Sequence, residues 1–128
     1  MKLEVAVGEL IDKLTILRIK SEKITDPEKL KFIQKEFDIL FEMVEPLTKE
    51  YPELFSDMMA LYKVNRSLWD IENAIRNKEQ HKVFDQEFIS LARSVYQNND
   101  SRAKIKYNIN VYTNSNLREV KQYTEYNV

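Results

Sequence analysis

The spacing of apolar residues divides the chain into four helical segments. Leucines at intervals of four and three residues form one stripe on a first helix, predicted over residues 5–23, and two isoleucines lie on another side of it. The stripe consists of Leu10, Leu14 and Leu17, and the second side of Ile16 and Ile19. Two apolar faces are typical of a helix that packs between neighbours, either inside the fold or at an oligomer interface.

A second helix is predicted to begin at a clear start signal. Thr25 and Glu28 have the spacing of a capping box, and Pro27 is tolerated in a first turn because its missing N–H has no helical partner there. Pro46 lacks the N–H that would continue the helix, so we predict that it ends near Glu45.

Two longer helices follow. Pro52 opens the third, which is predicted to end near Lys78, with Trp69 at helical spacing among its core residues. The fourth begins after Asp85, a good N-cap. Residues 103–112 alternate between apolar and other positions as a strand would, but a lone strand would have no partner, so we prefer helix there.

Composition agrees with one all-α domain over residues 1–128, an antiparallel four-helix bundle with a polar C-terminal tail. The chain has one glycine and three prolines, which argues against an all-β fold because such folds need frequent turn residues. Cysteine is absent, so no disulfide, thiolate nucleophile or zinc–cysteine site can form.

Charge and hydropathy exclude several classes of partner. The formal net charge is −1, which gives no reason to expect nucleic acid or an anionic membrane as partner. The basic run Arg102, Lys104 and Lys106 alternates with apolar residues and is interpreted as a solvated helix face. No signal peptide and no stretch of about 20 apolar residues is visible, so a cytoplasmic location is expected.

Polar residues interrupt the apolar stripes at a few positions. Asn65 and Glu72 do so on the third helix, and Asn98 and Arg102 on the fourth. Around the circumference of the first helix, Asp12 lies between Ile16 and Ile19. Burying such groups without partners costs roughly 1–3 kcal/mol for a neutral group and more for a charge. They should therefore contact one another, a water molecule or a ligand.

One hypothesis places three of these residues, together with Arg76 and Asn99, in a polar pocket between the third and fourth helices. The candidate ligand-binding residues are Glu72, Arg76, Asn99, Arg102 and Asn65. Glu72 would orient Arg76 or Arg102, and the arginines would hold an anion by paired hydrogen bonds. Strict hairpin register pairs Asn65 with Asn99 and leaves Arg76 as the weakest member. The alternative is an internal network that fixes helix register, with Glu72 and Arg76 an ordinary i, i+4 pair.

A second hypothesis concerns metal. Glu9-x-x-Asp12 and Glu42-x-x-Glu45 each place two carboxylates on one helix face, where two such pairs can hold Mg²⁺ between helices. This arrangement is similar to that of the all-α nucleoside-triphosphate pyrophosphatases, but the order of the two elements is reversed and Pro46 directly follows the second. Outside this alternative, no cofactor is expected.

Five segments together carry a resemblance to a known family. They are residues 8–17, 68–76, 88–96, 99–103 and 119–123. The set resembles a family of small uncharacterised proteins of bacteria and their phages, often encoded beside glycosyltransferase or surface-polysaccharide genes. The resemblance implies a sugar- or nucleotide-related setting through gene neighbourhood alone, and it supplies no activity.

Two functions are compatible with these patterns. The first is an accessory or protein-interaction module with a protein partner, linked to sugar or polysaccharide metabolism. The alternative is a metal-assisted or anion-binding enzyme that acts on a nucleotide or sugar phosphate. With Gly8 as the only glycine, neither a phosphate loop nor a Gly-x-Gly-x-x-Gly motif can form. Because no catalytic constellation is visible and the alternative is an enzyme, the sequence leaves open whether the protein is one.

We predict that the protein is a homodimer. A peripheral helix of a four-helix monomer needs one apolar stripe, so the second stripe of the first helix must be covered by the tail or by another subunit. Two-fold pairing is the commonest solution among soluble proteins. Light scattering at micromolar concentration should give the mass of two chains, and a monomeric mass would contradict the prediction.

Overall fold

The computed structural model describes residues 1–127, which contain four α-helices and no β-strand. The helices are α1 (Val7–Lys23), α2 (Pro27–Glu50), α3 (Leu54–Gln80) and α4 (Gln86–Tyr112). The predicted all-α, four-helix fold is confirmed, and residues 103–112 are helical. Residues 115–127 form a tail without helix or strand. In the described part of the chain no helix is long and apolar enough to cross a membrane, and the cytoplasmic location stays a prediction.

Side-chain caps fix two of the helix starts. The Asp26 carboxylate accepts the N–H of Glu28 at 3.0 Å, so Asp26, and not Thr25, caps α2. Asp85 accepts the N–H of Phe88 at 3.0 Å and caps α4 as predicted.

The predicted end of α2 is wrong, because the helix continues through Pro46 to Glu50. Proline removes one hydrogen bond of the helix and crowds the preceding turn. The residues on both sides of it are nevertheless held by tertiary packing. Val44 is fully buried, and Leu47 packs against the same core. This packing maintains the helix across the proline.

Helix α1 is the centre of the fold. It packs against each of the other three helices, while α3 and α4 form a hairpin and α2 lies on α1 with a small contact to α3. Leu14, Leu17 and Ile19 are all buried, so both apolar faces of α1 are covered within the chain. Helix α1 is therefore not peripheral, which removes the reason for expecting a second subunit on it, and the homodimer stays a prediction.

The closed core lies at one end of the molecule. It is formed by the beginnings of α1 and α3 and the ends of α2 and α4. Its buried residues are Ile11, Leu14, Val44, Leu54, Leu61 and Ile109. No residue of the range 66–105 is buried, so the α3–α4 hairpin continues beyond the core.

Helices α1 and α4 approach each other closely at Gly8. Its N–H donates to Oδ1 of Asn110 at 2.7 Å, and the N–H of Val7 donates to Oγ of Ser115 at 3.1 Å. These bonds satisfy donors of the first turn of α1, where the N-cap Ala6 offers no side-chain acceptor. An added Cβ at Gly8 would lie 2.5 Å from the carbonyl oxygen of Lys106. The only glycine of the chain therefore stands where a side chain would separate two helices.

We predict that Gly8→Ala destabilises the protein although alanine favours helix. Overpacking against the α4 backbone should lower the free energy of unfolding by about 1–3 kcal/mol. Urea denaturation measures this change, with Lys13→Ala as the control because Lys13 is an exposed residue of the same helix. Equal stability of Gly8→Ala and the control would contradict the close contact.

Candidate functional site

A fully buried carboxylate lies at the junction of three helices. Asp12 of α1 is 0% exposed, so it needs protein partners in place of water. Arg102 of α4 donates from Nε to both carboxylate oxygens, at 3.0 and 3.1 Å, and from Nη2 to Oδ2. Asn65 of α3 donates from Nδ2 to Oδ1 at 2.8 Å. Side chains of α3 and α4 thus both bind one carboxylate of α1.

Thr15 completes this group, which we name the Asp12 cluster (Asp12, Thr15, Asn65 and Arg102). The Thr15 hydroxyl donates to the backbone carbonyl of Asp12 at 2.7 Å and accepts from Nδ2 of Asn65 at 2.9 Å. The hydrogen bond to Asp12 raises the pKa of Arg102 above its ordinary value, so the guanidinium stays charged. The amide of Asn65 is oriented unambiguously, because a carboxylate can only accept.

Lys106 adds a second cation one turn along α4. Its Nζ lies 2.7 Å from Oε2 of Glu9, 3.6 Å from Oε2 of Glu119 and 3.8 Å from Oδ2 of Asp12. Lys106 is buried and Arg102 is partly buried, so the interpretation of this basic run as a solvated face is wrong for both. Only Lys104 of the three is exposed.

A cavity of about 530 Å³ opens beside the Asp12 cluster, between α1, α3 and α4. All five candidate ligand-binding residues line it, namely Asn65, Glu72, Arg76, Asn99 and Arg102. Its apolar part consists of Ile16, Ile19, Leu68 and Val95, and its remaining lining residues are Trp69 and Asn73. We name this space the interhelical pocket.

The arginines of the interhelical pocket have different partners. Nε of Arg76 donates to Oε1 of Glu72 at 3.0 Å, and both side chains are largely exposed, as in an ordinary i, i+4 pair. Arg102 pairs with Asp12 and not with Glu72. Sequence reasoning singled out Asp12 as a polar residue between apolar faces but did not place it behind the pocket.

Two polar groups of the Asp12 cluster remain available to a ligand. Oδ1 of Asn65 accepts no hydrogen bond from the described chain, although the residue is only 6% exposed. Arg102 uses Nε and Nη2 for Asp12, which leaves Nη1 without a protein partner in the same range. The amide of Asn99 forms no hydrogen bond with residues 1–127 either. The inner end of the pocket therefore offers an acceptor, a charged donor and a free amide.

Trp69 was predicted to belong to the core, but the structure places it partly exposed in the wall of the interhelical pocket. It lies four residues after Asn65 and three before Glu72, on the same face of α3. That spacing was the signal that could have assigned Trp69, and with it Asn73, to the pocket.

The four carboxylates of the metal hypothesis do not form a common site. Asp12 is bound by Arg102, and Glu9 pairs with Lys106. Glu42 and Glu45 are exposed on α2. Within residues 1–127 there is no group of three or more His, Asp or Glu side chains that could hold a metal ion.

We predict that Asp12→Ala destabilises the protein by about 3–5 kcal/mol, because Arg102 and Asn65 lose their shared acceptor in a poorly hydrated site. Glu72→Ala removes an exposed pair and should cost less than about 1 kcal/mol. Chemical denaturation of both variants measures the difference. The double variant Asp12→Leu/Arg102→Leu should recover much of the loss, since two apolar residues leave no unpaired charge. Equal losses from Asp12→Ala and Glu72→Ala would show that the cluster does not stabilise the fold.

Comparison with known proteins places the chain in a family. No curated protein and no solved structure matches it significantly. The model of the Family of unknown function (DUF6165) matches residues 1–127, so the chain belongs to this family.

Proposed function

We propose that the protein is a small accessory module that binds a polar, ring-shaped ligand in the interhelical pocket. The observation that carries the proposal is the Asp12 cluster, which fixes Asn65 and Arg102 at the pocket while leaving one acceptor and one donor unused. Polar groups that are held in a fixed position at the wall of a cavity are typical of ligand sites, because they can bond to a ligand in place of solvent.

The charge balance of the pocket favours an uncharged ligand. Each guanidinium that lines it has a carboxylate partner, Asp12 for Arg102 and Glu72 for Arg76. An anion therefore gains less here than at unpaired arginines. A sugar ring can use the amides of Asn65 and Asn99 as hydrogen-bond partners.

The indole of Trp69 offers an apolar face to such a ring, beside Leu68 and Val95. A ring with hydroxyl groups on its edge and C–H groups on one face matches this combination of amides and apolar wall. The sugar-related setting implied by the sequence resemblance agrees with this ligand class, as an argument by association.

The alternative, an enzyme acting on a nucleotide or sugar phosphate, has one observation in its favour. Arg76 and Arg102 both line the pocket, and guanidinium groups suit phosphate. The lining residues include no serine, cysteine, histidine or lysine, and the single carboxylate among them, Glu72, already accepts a hydrogen bond from Arg76. The metal-assisted form has no grouped carboxylates in the described chain to support it. Binding is therefore favoured over catalysis.

The distal part of the α3–α4 hairpin supports the protein-interaction role as a second candidate. No residue of the range 66–105 is buried, and Phe84 and Ile89 are 54% and 47% exposed. The exposed apolar residues at the tip of the hairpin, Val83, Phe84 and Ile89, can be covered by a partner protein or by the second chain of the predicted homodimer. Light scattering separates these two cases.

We predict that ligand binding changes the fluorescence of Trp69, which is the only tryptophan of the chain and lies in the pocket wall. Titration with neutral methyl glycosides should give a saturable change, and sugar phosphates should bind no more tightly than the neutral sugars. Asn99→Ala should weaken binding about tenfold, the equivalent of one or two hydrogen bonds. The fold of this variant should be unaffected, because the side-chain amide of Asn99 forms no hydrogen bond within residues 1–127.

Asn108→Ala is the matched control, since Asn108 is an exposed asparagine of the same helix outside the pocket. Saturation by sugar phosphates, nucleotides or inorganic phosphate but not by neutral sugars would favour the alternative function. Absence of a response to every member of this panel would contradict a ligand-binding role.

A further inference from the structure

A second cavity, of about 620 Å³, lies between α4 and the C-terminal tail. It shares Val95 and Asn99 with the interhelical pocket but is otherwise built from different residues. The function proposed above does not use it. We name it the tail cavity.

Tyrosine side chains hold the tail against α4. The hydroxyl of Tyr126 donates to Oδ2 of Asp100, and the rings of Tyr96 and Tyr126 meet edge to face with centroids 4.9 Å apart. The hydrogen bond to Asp100 raises the pKa of Tyr126 to about 12, so its hydroxyl stays protonated at neutral pH. The tail thus adds aromatic surface and polar groups to the wall that α4 provides.

The chemistry of the wall is that of a cation site. Tyr96, Tyr123 and Tyr126 all line the cavity, and the negative face of a phenol ring attracts an ammonium group. The carboxylates of Asp100 and Glu125 line the same space. Aromatic faces together with carboxylates favour a positively charged ligand over a neutral or anionic one.

Lys121 shows that the wall accepts an ammonium group. Its Nζ lies 5.9 Å from the centroid of the Tyr123 ring and 3.5 Å from Oε1 of Glu119. Lys121 also lines the cavity, whose charged groups are two carboxylates and one ammonium, a formal sum of −1. The lysine is therefore a built-in competitor that leaves the cavity net acidic.

We propose that the tail cavity binds a small organic cation, an ammonium or quaternary ammonium group that contacts the tyrosine rings and the carboxylates of Asp100 and Glu125 in the cavity wall. The tail cavity would bind its ligand whether or not the interhelical pocket binds a sugar, although the two cavities share Val95 and Asn99. Its ligand would compete with the ammonium of Lys121 for the Tyr123 ring, whereas the acidic partner of Lys121, Glu119, is not among the residues that line the cavity.

The experiment is a titration of the full chain with choline chloride, followed by calorimetry and by the NMR signals of the tyrosine rings. Saturable binding that weakens as sodium chloride is added is the expected result. Tyr96→Leu and Tyr126→Leu should each weaken binding about two- to fivefold, and Asp100→Asn should also weaken it. Lys121→Gln should tighten binding, because it removes the competitor and makes the cavity more acidic.

Tyr107→Leu is the matched control, because Tyr107 is an exposed tyrosine of α4 outside the tail cavity. Circular dichroism should show unchanged helix in every variant. The proposal is overturned if choline does not saturate, if Tyr107→Leu weakens binding as much as Tyr96→Leu, or if Lys121→Gln weakens it. Trp69→Phe should leave choline binding unchanged, which separates the outcome from that of the interhelical pocket.

Discussion

The structure depends on the burial of one carboxylate. Asp12 of α1 is fully buried, so two other helices, α3 and α4, must bring it donors. Arg102 fixes α4 against α1, and Asn65 fixes α3 against α1 through Asp12 and Thr15. A slip of one turn in any of these helices would leave a buried charge unpaired, at a cost of several kcal/mol. The same bonds hold Arg102 and Asn65 at the pocket, so the constraint on the fold is also the constraint on the site.

The interhelical pocket forms where the closed core ends. At the end of the molecule that contains Leu54 and Ile109, side chains from four helices fill the interior. Beyond Asn65 and Lys106, toward the hairpin tip, the buried residues stop. Two helices and the last turns of α1 cannot enclose a core, so the apolar residues of this region line a space. The Asp12 cluster lies at the boundary and gives that space its polar inner end.

Much of the fold follows from the sequence, because helical periodicity and caps are local. Three of the five candidate residues, Asn65, Glu72 and Arg102, could be listed from the rule that polar residues inside apolar stripes need partners, whereas Arg76 and Asn99 could not. The pairing of Asp12 with Arg102 could not, since it joins residues far apart in the chain through the central position of α1. The prediction that α2 ends near Glu45 is wrong because packing at Val44 and Leu47 outweighs the local helix-breaking tendency of Pro46. Trp69 was assigned to the core because residues that fill a core and residues that line a pocket recur at the same helical spacing.

The two cavities are neighbours across one helix, and this has a thermodynamic consequence. Val95 and Asn99 border both of them, while the Asp12 cluster anchors one side of α4 and Tyr126 the other. A ligand that draws the Asn99 amide into the interhelical pocket removes it from the wall of the tail cavity. A ligand of one cavity that changes the affinity of the other cavity for its ligand must have its own affinity changed by the same factor when that second ligand binds. Val95 and Asn99 are therefore the residues through which the two proposed ligands would affect each other's binding.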